Sequence, residues 1–400
     1  MKILLWMGGS FDRRTPSEHL LVAIIEALYE QGHVVHILQK ETGGPKPKLP
    51  ARLVELGVTT TAIKIVPPKK SSFIARYLSD VLYVKKCKKW LRRNSSFDRV
   101  FLQSSNVAGF QTDVLQKHLK NIPAVFNVQD IFPENAVYTH KLSRDGVAYR
   151  LLSAVQKRAY RYVQKIITIS EDMKDQLVEL GVDAEKIEVI YNWSYADTPY
   201  DRTTLDYSAI SPFLDKSKFN VVYAGNLGIM QNVELVLSAA AQMREYNEIA
   251  FHIFGDGIYQ SKLRSFAEQL QLGNVFFRDM LDATEAAALY TYADLNVIPL
   301  AENVYRTALP SKTATCLACG KPIALCIGTA SRFAQGLRAQ TNISLLDSND
   351  VDGLVKCILA TKKQPEAVCS VETFQMFFSK TKNSRRYAAL LLSAEYVPND

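Results

Sequence analysis

Cysteine is scarce: six in 400 residues, at 87, 316, 319, 326, 357 and 369. That is too few for a disulfide scaffold, and most fall in apolar or helical stretches, so a reducing compartment is expected. Cys316-Leu317-Ala318-Cys319 has CxxC spacing but no second pair and no flanking His. It reads as buried small hydrophobes ahead of zinc or redox chemistry. No apolar run approaches the roughly 20 residues that span a bilayer. No secretory signal is visible either, since Met1 to Met7 reads as a first strand running into Gly8-Gly9. A cytoplasmic protein is expected. The first turn lacks GxGxxG, so a dinucleotide cofactor has no support. RNP, helix-turn-helix and zinc-finger patterns are also missing, which leaves nucleic acid without a motif. No cofactor and no bound metal are expected.

What is present is ordinary for a soluble α/β protein: 48% hydrophobic and 22% charged residues. Four hundred residues exceed one ordinary core, so two domains are expected. The formal charge of +8 is uneven. Residues 1–200 hold 29 Lys or Arg against 20 Asp or Glu, and the remainder holds 19 against 20. A basic first half beside a neutral second half points to an anionic partner on one side only.

The stretch 219–257 organises the chain. Phe219 to Tyr223 is an apolar run ending in Gly225 and Gly228, followed from Asn232 by apolar residues at helical spacing. A second apolar run, Ala250 to Phe254, stops on Gly255-Asp256-Gly257. Strand, glycine turn, helix, strand, glycine turn is the grammar of a parallel βαβ unit. Both turns fall at carboxyl ends of strands, where open α/β sheets bind ligands. Glycine lets backbone approach a phosphate, and a helix start offers unpaired N–H groups. A tight turn with no ligand is the competing reading.

The same alternation runs through both halves. Strands are expected at 2–7, 34–39, 99–103, 124–129, 165–169 and 187–191, with a helix over about 17–31. In the second half strands are expected at 220–223, 249–254, 275–278, 295–298, 322–326 and 343–345. Residues 194–218 are polar and turn-rich and read as a linker. The expected organisation is a first domain over 1–195, a linker over 196–218, a second domain over 219–380, and a tail over 381–400 that packs back on the first.

Two further stretches stand out. Between Pro299 and Gly320 a strand feeds a loop, and Pro310-Ser311 is expected to cap a short helix that Gly320 stops. Lys312 then lies in the first helical turn, where a cation is disfavoured. That local cost hints at an anion in use, with an ordinary exposed lysine as the alternative. The segment 64–99 carries eleven Lys or Arg, among them Arg76, Lys85, Lys86, Lys88, Lys89, Arg92 and Arg93, against Asp80 and Asp98. Phe73, Ile74, Tyr77, Leu78, Val81, Leu82, Val84, Trp90 and Leu91 recur within it at roughly helical spacing. A basic helix with an apolar face suits an anionic membrane surface. A core-packing helix with a solvated basic face is the plainer reading, and nucleic acid a weaker one.

Taken together, Tyr223-Ala-Gly-Asn-Leu-Gly with Gln231, Phe254-Gly-Asp-Gly, Ala293-Asp-Leu with Ile298-Pro-Leu, and Pro310-Ser-Lys with Ala318-Cys-Gly-Lys-Pro-Ile resemble the C-terminal domain of family 4 glycosyltransferases. The likeness is strongest to the N-acetylfucosamine-transferase-like branch of bacterial surface-polysaccharide synthesis. Gly32-His-Val, Val128-Gln-Asp-Ile-Phe-Pro-Glu, and Thr168-Ile-Ser-Glu-Asp-Met-Lys with Asn192-Trp193 agree in the first half. The resemblance implies a GT-B fold: two Rossmann-like α/β domains, parallel sheets flanked by helices, facing across a cleft. It implies a nucleotide-sugar donor, UDP-linked, held by the second domain, an acceptor held by the first, and retention at the anomeric carbon without a metal.

By that resemblance the leaving diphosphate falls to Gly225-Asn226, to Pro310-Ser311-Lys312 and to the Gly8-Gly9 loop. Gly255, Asp256 and Gly257 would border the base. Asp130 matches a position facing the anomeric centre, where it would orient or deprotonate the acceptor hydroxyl or stabilise an oxocarbenium-like state; a loop carboxylate before Pro133 is the alternative. The sequence also departs from the pattern. Asn226 and Gln231 stand where many relatives carry Arg and Lys, Thr307 and Thr315 where they carry two glutamates, and Thr15-Pro16-Ser17 where a glycine pair often lies. Each loss removes a charge-assisted bond of about 1.5–3 kcal/mol. Arg306, Lys312, Arg13 or Arg14 are the cations available to compensate.

The expected function is sugar transfer to a polyprenyl-diphosphate-linked acceptor for a capsule or related glycan, by a protein peripheral on the inner face of the cell membrane. A catalytically silent paralogue serving another transferase is the second reading, and a GT-B nucleotide-sugar epimerase the third.

Overall fold

The computed structural model describes residues 1–11, 18–42, 48–67, 73–201, 203–340, 342–364 and 371–396. Arg13, Arg14, Thr15-Pro16-Ser17, Lys69, Lys70 and Cys369 lie outside them. The chain forms two compact units, Met1–Tyr191 with Lys380–Asp400, and Asn192–Ser379.

The first unit is built on seven parallel strands: β1 (Lys2–Trp6), β2 (Val34–Glu41), β3 (Thr59–Lys64), β4 (Arg99–Gln103), β5 (Ala124–Val128), β6 (Lys165–Thr168) and β7 (Ile187–Val189), in the order β3-β2-β1-β4-β5-β6-β7. The second has six: β8 (Phe219–Ala224), β9 (Ile249–Phe254), β10 (Val275–Arg278), β11 (Leu295–Pro299), β12 (Ile323–Cys326) and β13 (Ile343–Leu346), in the order β10-β9-β8-β11-β12-β13, all parallel. Helices cover the faces of such sheets, so central strands read as nearly continuous apolar runs. β5, β8, β9, β11 and β12 are buried at every residue. In both sheets the strand order reverses beside the first strand, between β1 and β4 and between β8 and β11. Ligands of open α/β sheets bind at the carboxyl ends there.

Three expectations need correction. β3 was not expected, because Thr59-Thr-Thr-Ala-Ile-Lys64 has no apolar run. It is an edge strand with Thr59, Thr60 and Lys64 exposed, and its hydroxyls bond to His36 and Gln39 instead of packing in a core. The basic segment 64–99 is not one helix: Lys64 ends β3, Arg99 begins β4, and the helix spans Phe73–Leu91. Residues 196–218 belong to the second unit, with Ile210 and Leu214 buried and the Tyr200 amide donating to the Ala318 carbonyl at 2.8 Å.

The last described helix, Lys380–Ser393, belongs to the first unit. Asn383 Nδ2 donates to the Tyr191 carbonyl at 3.0 Å, and the buried Tyr387 hydroxyl donates to Asn127 Oδ1 of β5 at 3.2 Å. The helix packs on Glu18–Tyr29, which buries Leu20, Leu21, Ile24, Ile25 and Leu28 and ends before Gly32 at φ 76°.

Candidate functional site

The two glycine turns of the second unit are laced together. Beyond β8, Gly225 donates its amide to the Phe254 carbonyl at 2.9 Å, and Leu227 donates to Asp256 at 2.9 Å; Tyr259 returns a bond to the Leu227 carbonyl at 3.0 Å. A Cβ on Gly255 would lie 1.9 Å from the Gly225 carbonyl oxygen, and one on Gly257 2.3 Å from that of Leu227. Backbone contact therefore requires glycine at 255 and 257. Asp256 is exposed, and its Oδ1 accepts the Gly257 amide at 2.7 Å.

Gly225 has a different neighbour. At φ 144° its bare Cα faces a side chain: a Cβ there would stand 2.6 Å from Lys312 Nζ. Lys312 opens the helix Lys312–Ala318, which Gly320 ends at φ 64°. Ser311 precedes that helix in αR geometry and makes no side-chain capping bond, contrary to the cap expected of it; Thr313 Oγ1 instead donates to the Pro310 carbonyl at 2.9 Å. Lys312 Nζ is buried without a hydrogen-bond partner among the described residues and lies 3.8 Å from the centroid of the Tyr223 ring. Burial pushes the amine down to about 7. An ordinary exposed lysine is not what the fold holds.

The side chains of the neighbouring turns and loops are mostly neutral. Asn226 Nδ2 donates to Gln231 Oε1 at 3.1 Å, bridging over Gly228. Thr307 is fully buried and turns its hydroxyl to the Val304 carbonyl at 3.1 Å, while Thr315 is half-buried. Arg306 ends the short turn Val304–Arg306 and is half-buried. The loop after β11 joins the turn after β8 through the Ala301 amide, which donates to Met230 at 2.8 Å. The strand order thus brings Gly225, Asn226, Gln231, Asp256 and Lys312 to one end of one sheet, at the β8–β11 reversal.

In the first unit the matching end of the sheet holds Gly8, Gly9 and Asp130. Gly8 packs 3.4 Å, measured from an added Cβ, from the Ser104 carbonyl beyond β4, and the Gly9 carbonyl accepts the Lys40 amide at 3.0 Å. Asp130 follows β5, with solvent reaching its side chain while surrounding protein strips hydration and raises the carboxyl to about 6. Sequence reasoning missed Glu134, four residues on. It is buried, Oε1 accepts from the Tyr149 hydroxyl at 2.8 Å, Oε2 has no partner among the described residues, and desolvation raises its carboxyl. The acidic residue directly after Pro133 was its one available signal.

The helix Phe73–Leu91 buries Ser79, Tyr83, Val84, Cys87 and Leu91. Ile74, Leu78 and Leu82, one turn apart, are exposed at 69%, 55% and 53%. Helical geometry puts Lys85 and Lys89 on the same stripe. Arg76, Lys85, Lys86, Lys89, Arg92 and Arg93 are exposed, whereas Lys88 is half-buried. Trp90 is half-buried and stacked on His36, centroids 5.1 Å apart, so it belongs to packing against the sheet edge. No helix among the described residues is long and apolar enough to cross a membrane.

Residues 17–193 match the family described as Glycosyltransferase Family 4, and residues 209–367 that described as Glycosyl transferases group 1. The chain is 25% identical over 299 residues to "Probable glycosyltransferase WbjE" of Pseudomonas aeruginosa, covering 72% of this chain and 74% of that protein. Among solved structures, HepE of Anabaena in complex with UDP-glucose superposes with a TM-score of 0.70 at 16% identity, covering 98% of this chain and 99% of HepE. WaaG, a glycosyltransferase involved in lipopolysaccharide biosynthesis, superposes at 0.63 with 15% identity, covering 97% of this chain and 95% of WaaG.

Proposed function

Because the chain is a family 4 glycosyltransferase of GT-B fold, we propose that it transfers a sugar, with retention, from a UDP-linked donor to a polyprenyl-diphosphate-linked acceptor during bacterial surface-polysaccharide synthesis. The observation that carries the donor half is the buried amine of Lys312, set against the glycine turn at the β8–β11 reversal. A leaving nucleoside diphosphate needs its developing charge stabilised. Here that work falls to the Gly225-Asn226 backbone, Lys312 and, from the adjoining loops, Gln231, Arg306, Pro310 and Ser311. Gly255, Asp256 and Gly257 border the base. Asp130 orients the acceptor hydroxyl. No metal and no cofactor takes part in this reading. HepE bound to UDP-glucose and WaaG acting in lipopolysaccharide biosynthesis favour a UDP sugar and a surface glycan.

The acceptor half rests on the exposed stripe Ile74, Leu78 and Leu82 continued by Lys85 and Lys89. Apolar burial plus charge is what an anionic lipid surface offers such a helix. The protein works in this reading at the inner face of the membrane. Thermal shift with a panel of nucleotide sugars tests the donor: a cognate ligand at 100 times its Kd stabilises by about 2.7 kcal/mol. Silence across the panel at millimolar concentration would remove the enzyme's donor.

A second reading, a silent partner for another transferase, draws on Thr307. Its hydroxyl is turned inward to Val304 and cannot replace a carboxylate that reaches a donor sugar. Donor turnover by the purified protein with a lipid-diphosphate acceptor separates the two, since a silent partner binds without product.

A further inference from the structure

A buried ammonium with no acceptor is costly, and a lysine so placed loses its proton instead of holding an unpaired charge. Lys312 is in that position. Its Nζ has no hydrogen-bond partner among the described residues, leans on the bare Cα of Gly225 and faces the Tyr223 ring at 3.8 Å. The ring face offsets part of the lost hydration, but a quadrupole is weaker than an anion.

Among the described residues, the titratable groups around it supply no negative charge. Cys316 lies on its own helix, Tyr223 on β8 and Tyr290 on the helix Ala283–Tyr292, and burial raises all three. Both phenols are already donors, Tyr223 to the Asn226 carbonyl at 2.6 Å and Tyr290 to the Ala224 carbonyl at 3.0 Å. Asn226 and Gln231 are occupied with each other.

We propose that Lys312 stands as a neutral amine in the empty protein and takes a proton from solvent as it closes on the donor's pyrophosphate, so that donor binding and proton uptake are one event. The inference rests on the donor-site reading above. Burial that brings the amine down to about 7 in the empty state fits it. An adjacent pyrophosphate favours the charged form and raises the amine again. Donor affinity then falls as pH rises above neutrality, toward tenfold per pH unit.

UDP-glucose is the probe for calorimetry at pH 8 in HEPES and in Tris, neither a phosphate, because its pyrophosphate is esterified at both ends and does not titrate near neutrality. The expected result is a binding heat that differs between the buffers by roughly one proton's worth of buffer ionisation. Lys312→Arg, charged at every pH, should bind with equal heats in both. Binding of UDP-glucose by the wild type with equal heats overturns the proposal and leaves the donor reading intact. Absence of binding defeats the donor reading for this nucleotide sugar, and a ligand-free measurement then decides the state of the amine. A lysine lowered in the folded state leaves the unfolded chain holding more protons, so wild-type stability rises with pH from about 7 towards the free lysine range near 10.4. The wild-type melting temperature should therefore climb relative to Lys312→Met between pH 6.5 and 9.5. Parallel curves, repeated with Lys312→Gln, would show an ordinary charged lysine and overturn the proposal.

Discussion

The carbonyl of Gly225 lies so close to Gly255 that a Cβ there would stand 1.9 Å from its oxygen, and Gly255 is held at φ 154°. No rotamer change relieves a clash with backbone. Gly255→Ala should cost about 1–3 kcal/mol, a fall of several degrees in melting temperature. Gly273→Ala, with nothing within 4 Å of its Cβ, is the control and should melt near the wild type.

Gly225 gives a different prediction, because what a Cβ meets there is the far end of Lys312, at 2.6 Å. That side chain can swing away. Gly225→Ala should thus reduce nucleotide-sugar affinity by more than its effect on stability, which is limited to the strain of φ 144°. Paired calorimetry and thermal unfolding measure the two effects. Gly225→Val, bulkier, should abolish binding.

Desolvation raises Asp130 to about 6. If its ionised carboxylate orients the acceptor hydroxyl, the transfer rate rises with pH through that value. Asp130→Asn should lower the rate by about 100-fold or more and remove the acid limb of the profile. Stability should move the other way. A carboxyl raised in the folded state holds protons that the unfolded chain has lost, so the wild type loses stability relative to Asp130→Asn between about pH 4 and 6.

Vesicle binding tests the stripe on Phe73–Leu91. Each Lys near an anionic surface contributes about 1 kcal/mol. Charge reversal at Lys85, Lys86, Lys88 and Lys89 should lower partitioning into phosphatidylglycerol-containing vesicles by about three orders of magnitude or more. Leu78→Glu should weaken it with no change in the basic residues. Co-sedimentation unaffected by either change would return this face to solvent.

Much of the fold was legible from hydrophobic runs. The strand from Ile249 to Phe254 is buried at every residue, and the run that announces it is the run that must be covered. β3 escaped because an edge strand can be held by hydroxyl contacts to His36 and Gln39, which leave no apolar period. The stretch around Ile210 and Leu214 read as linker because two isolated apolar residues do not announce burial. At the site, glycines 225, 255 and 257 were visible, but the sequence did not distinguish the two that abut backbone from the one that abuts a lysine.

Residue order alone determined two α/β halves, the turns that end β8 and β9, and an uneven charge concentrated before Tyr200. These are local properties, written in period, glycine spacing and composition. The setting of Lys312 was decided only by tertiary structure. Its amine lies under the ring of Tyr223 and beside Gly225, 89 and 87 positions earlier in the chain, and those neighbours remove its water without replacing its hydrogen bonds. Desolvation belongs to an enclosure, and enclosures form only once distant strands have paired.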